Sequence, residues 1–127
     1  MRQIPILTFS LFMSILSVTT PASAGDAKNG EQVFVKCQRC HSLDANGPQE
    51  EGPTLNGIFG RKAGTVESYA GYSEALKSSG VIWTEETLDE YLKNPKAFIK
   101  GTNMRFRRLS KEQDRQDLIA YLREATK

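Results

Sequence analysis

The sequence predicts an all-α protein with one folded domain, on three observations. Apolar residues recur at helical spacing in four segments, and each segment opens with a residue that can cap a helix. Loops rich in glycine and proline join these segments. No stretch of the chain shows the alternation of polar and apolar residues that is typical of a β-strand. A chain of 127 residues without internal repeats is the length of a single domain.

Residues 1–24 have the composition of a cleaved signal peptide rather than of a folded segment. Arg2 provides a positive start, an uncharged apolar run extends from Ile4 to Val18, and Ala22-Ser23-Ala24 offers a small-residue cleavage site. The alternative is a retained membrane anchor, but the apolar run is short for a bilayer span, which needs about 20 residues. We therefore expect export to the periplasm and a mature domain of residues 25–127.

The first two helices are predicted from their caps and their apolar positions. The first begins after Asp26, a good N-cap, and one face carries Ala27, Gly30, Phe34 and Cys37. A short second helix runs from Ser73 to Lys77 and ends at Gly80, because glycine is suited to helix C-termini. A long loop from Ser42 to Tyr72 separates the two helices.

The third and fourth helices have stronger end signals. The third begins with Thr84 as its cap and ends before Pro95, and acids in its first turn suit the helix dipole. Its apolar face is formed by Leu88, Tyr91 and Leu92. The last helix has Ser110 and Gln113 at the spacing of a capping box. Its apolar face is formed by Leu118, Tyr121, Leu122 and Ala125.

The predicted domain is too small and too rich in loops to have an ample core. Small domains of this kind usually need a metal or a cofactor to hold them together. Cys37 and Cys40 are the only cysteines, and a disulfide between them would close a loop too short to constrain the unfolded chain. These cysteines therefore indicate another chemistry.

Residues 37–41, Cys-Gln-Arg-Cys-His, form the C-x-x-C-H attachment motif of c-type haem. On a helical turn the two cysteines face the same side, so each can form a thioether with one vinyl group, and His41 can reach the iron. One alternative is a redox dithiol, which would follow a strand in a βαβ unit. The other is a zinc half-site, which would need more ligands than one histidine and two cysteines supply. The motif predicts one covalently attached haem c.

The second axial ligand is predicted to be Met104. It is the only methionine left after removal of residues 1–24, and it lies in a polar loop rather than on an apolar helix face. A neutral thioether favours ferrous iron and raises the reduction potential. A lysine or an open site are the alternatives, and an open site would suit an enzyme or a gas sensor. Two filled axial positions favour electron transfer over catalysis. A purely structural interaction protein has no feature in its favour.

These features together resemble a class I cytochrome c, the monohaem mitochondrial type with its soluble bacterial members. The resemblance extends from Gly25 to the end of the chain and implies a fold in which helices and long loops wrap around one haem. The matching stretches are Gly25-Asp26 with Gly30 and Phe34, the C-x-x-C-H motif, Gly52-Pro53-x-Leu55-x-Gly57-Ile58-Phe59-Gly60-Arg61, Tyr72-Ser73, Trp83 through Asn94-Pro95-Lys96, Gly101-Thr102-Asn103-Met104, and Leu118-Ile119-Ala120-Tyr121-Leu122.

The resemblance also implies roles for residues beyond the motif. It assigns the carbonyl of Pro53 as the acceptor for the N–H of His41, a contact that orients a ligating histidine. It assigns the Tyr91 hydroxyl to the sulphur of Met104, and it implies a close crossing of the first and last helices at Gly30 and Tyr121. The propionates of the haem need hydrogen-bond donors, and the resemblance implies Arg61, Tyr72, Trp83 and Thr102.

Four positions near Met104 depart from the family pattern. Asn103 replaces a lysine that commonly precedes the methionine, and Lys100 replaces a proline. Arg107 and Arg108 stand where small residues are usual.

The charge distribution predicts a docking surface. Net charge is only +2, which argues against a nucleic-acid binder, yet the segment from Lys96 to Lys111 holds six cations and no acid. The resemblance places this segment around the exposed haem edge. We expect a monomer that docks on acidic surfaces of membrane redox complexes or periplasmic oxidoreductases, as a soluble carrier between respiratory or photosynthetic complexes and other redox enzymes. The expected docking residues are Lys36, Arg39, Lys96, Lys100, Arg105, Arg107, Arg108 and Lys111.

Overall fold

The computed structural model describes residues 25–49 and 51–126, and it confirms the all-α prediction. Within these residues no strand forms, and the only β-type pairing is an isolated antiparallel bridge between Lys62 and Ile82. The predicted signal peptide, residues 1–24, lies outside the described residues. The helices are α1 (Ala27–Phe34), α2 (Glu74–Ser78), α3 (Glu85–Lys93), α4 (Pro95–Phe98) and α5 (Glu112–Ala125).

Three helices begin at a side-chain cap; Asp26 and Thr84 were predicted as caps, and Ser73 was predicted as the first residue of its helix. The Asp26 carboxylate accepts hydrogen bonds from the N–H groups of Lys28 and Asn29 at the start of α1, at 2.9 and 3.2 Å. Ser73 caps α2 through a bond from the N–H of Leu76 at 3.1 Å. Thr84 caps α3 in a reciprocal capping box with the third residue of that helix. Local sequence therefore determines where these helices start.

The predicted capping box of the last helix is wrong. Helix α5 begins after Lys111, and no side chain caps it. The carbonyl of Ser110 instead accepts a hydrogen bond from the Arg115 guanidinium at 3.0 Å. The side chain of Gln113 turns to the Asp117 carboxylate, to which it donates at 2.8 Å. Both residues thus bond to side chains of α5 instead of to each other.

Helix α4 is an element that the sequence did not predict. Helix α3 ends before Pro95, as expected, but the chain then starts a second short helix at that proline. The side chain of Asn94 accepts from the N–H of Ala97 at 3.3 Å and caps α4. Proline fits the first turn of a helix, because the N–H that it lacks would have no partner there.

Helices α1 and α5 cross closely at Gly30, as the resemblance implies. A β-carbon on Gly30 would overlap the carbonyl oxygen of Asp117 and would lie 2.8 Å from the β-carbon of Tyr121. The ring of Phe34 packs against Tyr121, with 5.6 Å between the ring centroids. No helix in the described part of the chain combines the length and the apolar composition that crossing a bilayer requires.

The Asp117 carboxylate joins α1 to α5 and is nearly inaccessible to solvent, at 2% exposure. It accepts from the N–H of Asp26 at 2.7 Å and from the side-chain amides of Asn29 at 2.5 Å and Gln113 at 2.8 Å. These hydrogen bonds, led by that from Asp26, hold the pKa of Asp117 below its ordinary value. A carboxyl with a depressed pKa stabilises the folded state above its unfolded pKa, and this contribution is lost as pH falls through the folded pKa.

We expect Asp117→Asn to lower the free energy of unfolding by about 2 kcal/mol at neutral pH, because an amide cannot accept from three donors. The difference between parent and variant should shrink as the pH falls from about 4 through the depressed pKa of the folded carboxyl, because the unfolded chain binds a proton before the folded one does. Denaturant unfolding at a series of pH values measures this difference in the free energy of unfolding. Glu124→Gln, at an exposed position of the same helix, is the matched control. A difference that stays constant down to low pH contradicts the prediction.

Candidate haem-binding site

The C-x-x-C-H residues lie on a tight turn that continues from α1. The N–H of Cys37 donates to the carbonyl of Phe34 at 2.7 Å, and the N–H groups of Cys40 and His41 both donate to the carbonyl of Cys37 at 3.0 Å. Both cysteines are free thiols, Cys37 half-buried and Cys40 exposed. The turn therefore presents two unpaired thiols three residues apart, directly before a histidine.

The environment of the cysteines does not suit the two alternative chemistries. Burial raises the pKa of Cys37 to about 11, so the thiol is protonated at neutral pH. A redox dithiol works through a cysteine whose pKa is lowered instead. A zinc site needs four ligands, and residues 25–49 and 51–126 contain no group of three or more His, Cys, Asp or Glu side chains that could hold a metal ion.

His41 is held in the tautomer that a metal ligand requires. Its Nδ1 lies 2.8 Å from the carbonyl oxygen of Pro53, and a proton on Nδ1 leaves Nε2 with a free lone pair. Burial lowers the pKa of His41, which keeps the imidazole neutral. Gly52 lies directly against the ring: a β-carbon there would be 2.7 Å from Cε1 and 2.9 Å from Nδ1. The ring position thus depends on the Gly52-Pro53 pair, of which only the proline was assigned a role from the sequence.

The residues assigned to the methionine side also come together, but with different partners. The hydroxyls of Tyr91 and Thr102 are buried and lie 2.7 Å apart. The Thr102 oxygen also accepts from the N–H of Met104 at 3.5 Å, and Met104 is half-buried against the core. Two hydroxyls carry two protons, and one of these lies between them. Only one proton remains for the two further donations that the resemblance implies, to the Met104 sulphur and to a propionate.

The other donors assigned to the propionates keep capacity for a ligand. Arg61 gives two of its five N–H groups to the carbonyls of Thr54 and Asn56, each at 2.9 Å, and so anchors the loop that follows Pro53. The Tyr72 oxygen accepts from a backbone N–H at 3.3 Å, which leaves its own proton free to donate. Trp83 packs against Tyr91 with 5.1 Å between centroids, and its indole N–H has no hydrogen-bond partner among the described residues. These unused donors fit a group that carries carboxylates.

Four of the eight predicted docking residues line one open groove. The groove has a volume of about 350 Å³ and is lined by Asn94, Lys96, Arg105, Phe106, Arg107 and Arg108. The other four, Lys36, Arg39, Lys100 and Lys111, are exposed but do not line it. Within the described ranges only Lys111 of the eight pairs with a carboxylate, that of Asp114 at 3.8 Å. The groove is therefore bordered by cations whose charge is directed to solvent.

Two buried charged residues of α5 were missed at the sequence level. Arg115 donates to the Asp89 carboxylate at 2.8 Å and to the carbonyls of Leu109 and Ser110 at 2.9 and 3.0 Å. It fixes the segment that follows Met104 to α3 and α5. Asp117 has the equivalent role between α1 and α5. The only sequence signal for their burial was the position of each charged residue on the apolar face of the helix. This position does not indicate which residue each one bonds to.

The fold and the site define a small helical protein with a turn for thioether attachment and a buried, oriented histidine. The family model described as Cytochrome c matches residues 27–126. Cytochrome c2 of Blastochloris viridis is 50% identical over 118 residues, which cover 93% of this chain and 91% of that protein. Cytochromes c of Sesamum indicum and Gibberella zeae are 52% and 47% identical over 106 residues, which cover 83% of this chain and 95% and 99% of theirs.

The chain belongs to the cytochrome c family, as a class I member. It is an electron-transfer protein rather than an enzyme, and its cofactor is one covalently attached haem c. The predictions of fold, cofactor and general activity are thereby confirmed.

Proposed function

We propose that this protein is a periplasmic carrier that passes single electrons between respiratory or photosynthetic complexes and other redox enzymes, through a haem ligated by His41 and Met104. The observation that carries the proposal is the hydrogen bond of 2.8 Å between His41 Nδ1 and the Pro53 carbonyl, because it leaves Nε2 free for iron. Met104 is the methionine outside residues 1–24, and its loop lies against the buried Tyr91 and Thr102 hydroxyls.

Different residues of the site would hold different parts of the cofactor. Cys37 and Cys40 would form the two thioethers, and Pro53 would orient His41. Bound haem supplies an iron that changes oxidation state by one electron. Arg61, Tyr72 and Trp83 would donate to the propionates. Tyr91 and Thr102 would share a single remaining proton, so we assign one of them, not both, as a donor to the Met104 sulphur or to a propionate.

Export to the periplasm is supported by the composition of residues 1–24. It is also supported by the length of the match to cytochrome c2 of Blastochloris viridis, 118 residues. This match is longer than the stretch from Gly25 to Lys127, so it reaches into the N-terminal segment.

We expect protein purified from its native compartment to begin at Gly25 and to carry one haem. The expected intact mass is that of residues 25–127 plus one haem, and it should survive denaturation because the thioethers are covalent. Mass spectrometry under denaturing conditions measures it. A mass that includes residues 1–24, or a mass without haem, contradicts the proposal.

The groove between Lys96 and Arg108 is proposed as the centre of the docking surface. An electron carrier must associate and dissociate quickly, so its interface is expected to be small and its attraction long-ranged. Unpaired cations on the rim raise the association rate without a tight, desolvated contact. The partner surface is accordingly expected to be acidic.

Charge reversal at Lys96 and Lys100 together is expected to slow oxidation of the reduced protein by host membranes. At low salt the second-order rate constant should fall about tenfold, and the loss should diminish as salt screens the charges. The reduction potential should change little. Reversal at Lys28 and Lys62, two exposed lysines outside the proposed surface, makes the same change in net charge and is the control. If both pairs slow the reaction equally, net charge rather than this surface guides docking.

A further inference from the structure

Residues 66–71, here named the strap, lie between the segment that orients His41 and the loop that carries Met104. On the histidine side, Gln49 donates to the Ser68 hydroxyl at 2.7 Å and the Tyr69 hydroxyl donates to the carbonyl of Glu51 at 3.2 Å. On the methionine side, the side-chain amide of Asn103 donates to the carbonyl of Gly71 at 2.8 Å. The strap is thus hydrogen-bonded to both loops.

Both attachments lie close to the proposed axial ligands. Glu51 precedes Gly52, whose backbone lies against the imidazole of His41. Asn103 directly precedes Met104. Inside the strap, Gly71 lies on the Tyr69 side chain so closely that a β-carbon would overlap the hydroxyl. The same tyrosine therefore contacts Gly71 and bonds to the segment next to His41.

The bond from Asn103 is one of two long-range restraints on residues 101–104. Among the described residues, only two side-chain hydrogen bonds tie this loop to distant parts of the chain. One joins Thr102 to Tyr91, and the other joins Asn103 to Gly71, 32 residues away in sequence. The first is buried and the second is exposed, so the second is the one that opens more readily when the loop moves.

We propose that Asn103 is a positioning residue, whose amide closes the Met104 loop on the strap and thereby protects the iron–methionine bond from competing ligands. The inference rests on the proposed ligation by Met104. An external ligand reaches the iron only when the methionine has left, so its apparent affinity depends on the fraction of molecules with an open loop. Loss of the Asn103 bond raises that fraction.

Imidazole titration of the ferric holoprotein, followed by the charge-transfer band that requires a methionine–iron bond, tests the proposal. Asn103→Ala is expected to bind imidazole about fivefold more tightly than the parent, which corresponds to the loss of one ordinary hydrogen bond. Asn46→Ala removes another exposed loop asparagine, whose side chain has no hydrogen bond among the described residues, and should match the parent. Equal affinities for Asn103→Ala and Asn46→Ala overturn the proposal.

Two further variants separate the hydrogen bond from other effects. Asn103→Asp keeps the shape but places an acceptor against the Gly71 carbonyl, so it should bind imidazole at least as tightly as Asn103→Ala. The negative charge of the aspartate should have little influence on the affinity for imidazole, because a neutral ligand replaces a neutral thioether. If Asn103→Asp matches the parent, Asn103 acts through its shape and the proposal fails. Tyr69→Phe, which frees the other end of the strap, should shift the affinity in the same direction but less, since Gln49 still binds Ser68.

Met104→Ala distinguishes failure of this inference from failure of the proposed ligation. If Met104→Ala keeps the charge-transfer band of the parent, Met104 is not the ligand and the proposed function is wrong at this point. If Met104→Ala loses the band while Asn103→Ala binds imidazole like the parent, the ligation stands and only the role of Asn103 is refuted.

Discussion

Replacement of Met104 by alanine is expected to lower the reduction potential by at least about 100 mV, since axial ligands are the strongest determinant of haem potentials in proteins. A neutral thioether favours ferrous over ferric iron, and alanine removes that preference. The charge-transfer band of the ferric protein should disappear in the same variant. Redox titration with optical detection measures both changes.

Leu55→Ala is the control for a general loosening of the core. Leu55, like Met104, is a partly buried apolar residue that packs on the core, but it lies in the loop after Pro53. Its removal should shift the potential far less and should leave the band in place. An unchanged potential in Met104→Ala would return the choice of sixth ligand to a lysine or an open site.

The second large effect is expected at Gly30, where α1 crosses α5. Gly30→Ala should lower the free energy of unfolding by about 3 kcal/mol, because the added carbon meets backbone rather than a movable side chain. The overlap is with the carbonyl of Asp117, so relief requires a shift of the whole helix. Denaturant unfolding of the holoprotein measures the change.

Gly80→Ala is the matched control, since its cost comes from backbone conformation alone. Gly80 has a φ of 70° and nothing within 4 Å of an added β-carbon, which predicts a loss of about 1 kcal/mol. Alanine favours helices over glycine by about 1 kcal/mol, so Gly30→Ala would stabilise the protein if the contact were loose. A variant as stable as the parent would therefore show that separating α1 from α5 costs only about 1 kcal/mol, and it would contradict the prediction.

The haem attachment motif, the caps of the first three helices and the break before Pro95 were predictable because their determinants are local. A cap depends on residues within one turn, as with Asp26 and the N–H groups of Lys28 and Asn29. Likewise, attachment through two thioethers depends on the spacing of Cys37 and Cys40. The resemblance added the Pro53 carbonyl, which does lie 2.8 Å from His41. Class, cofactor and general activity followed from such features.

Tertiary structure alone decided how the other polar groups are used. Ser110 and Gln113 have capping-box spacing, yet they bond to Arg115 and Asp117 and the box does not form. Arg115 and Asp117 are in turn held by residues distant in the chain, Asp89 and Asp26. Asn103 differs from the family pattern, but only the fold shows that its amide reaches Gly71.

The sequence by itself thus determined four of the five helices, the attachment motif and the class of protein, because spacing along the chain encodes those. The fold determined which donor meets which acceptor. The residues concerned are up to 91 positions apart, as for Asp26 and Asp117, and no local pattern carries information across such a separation.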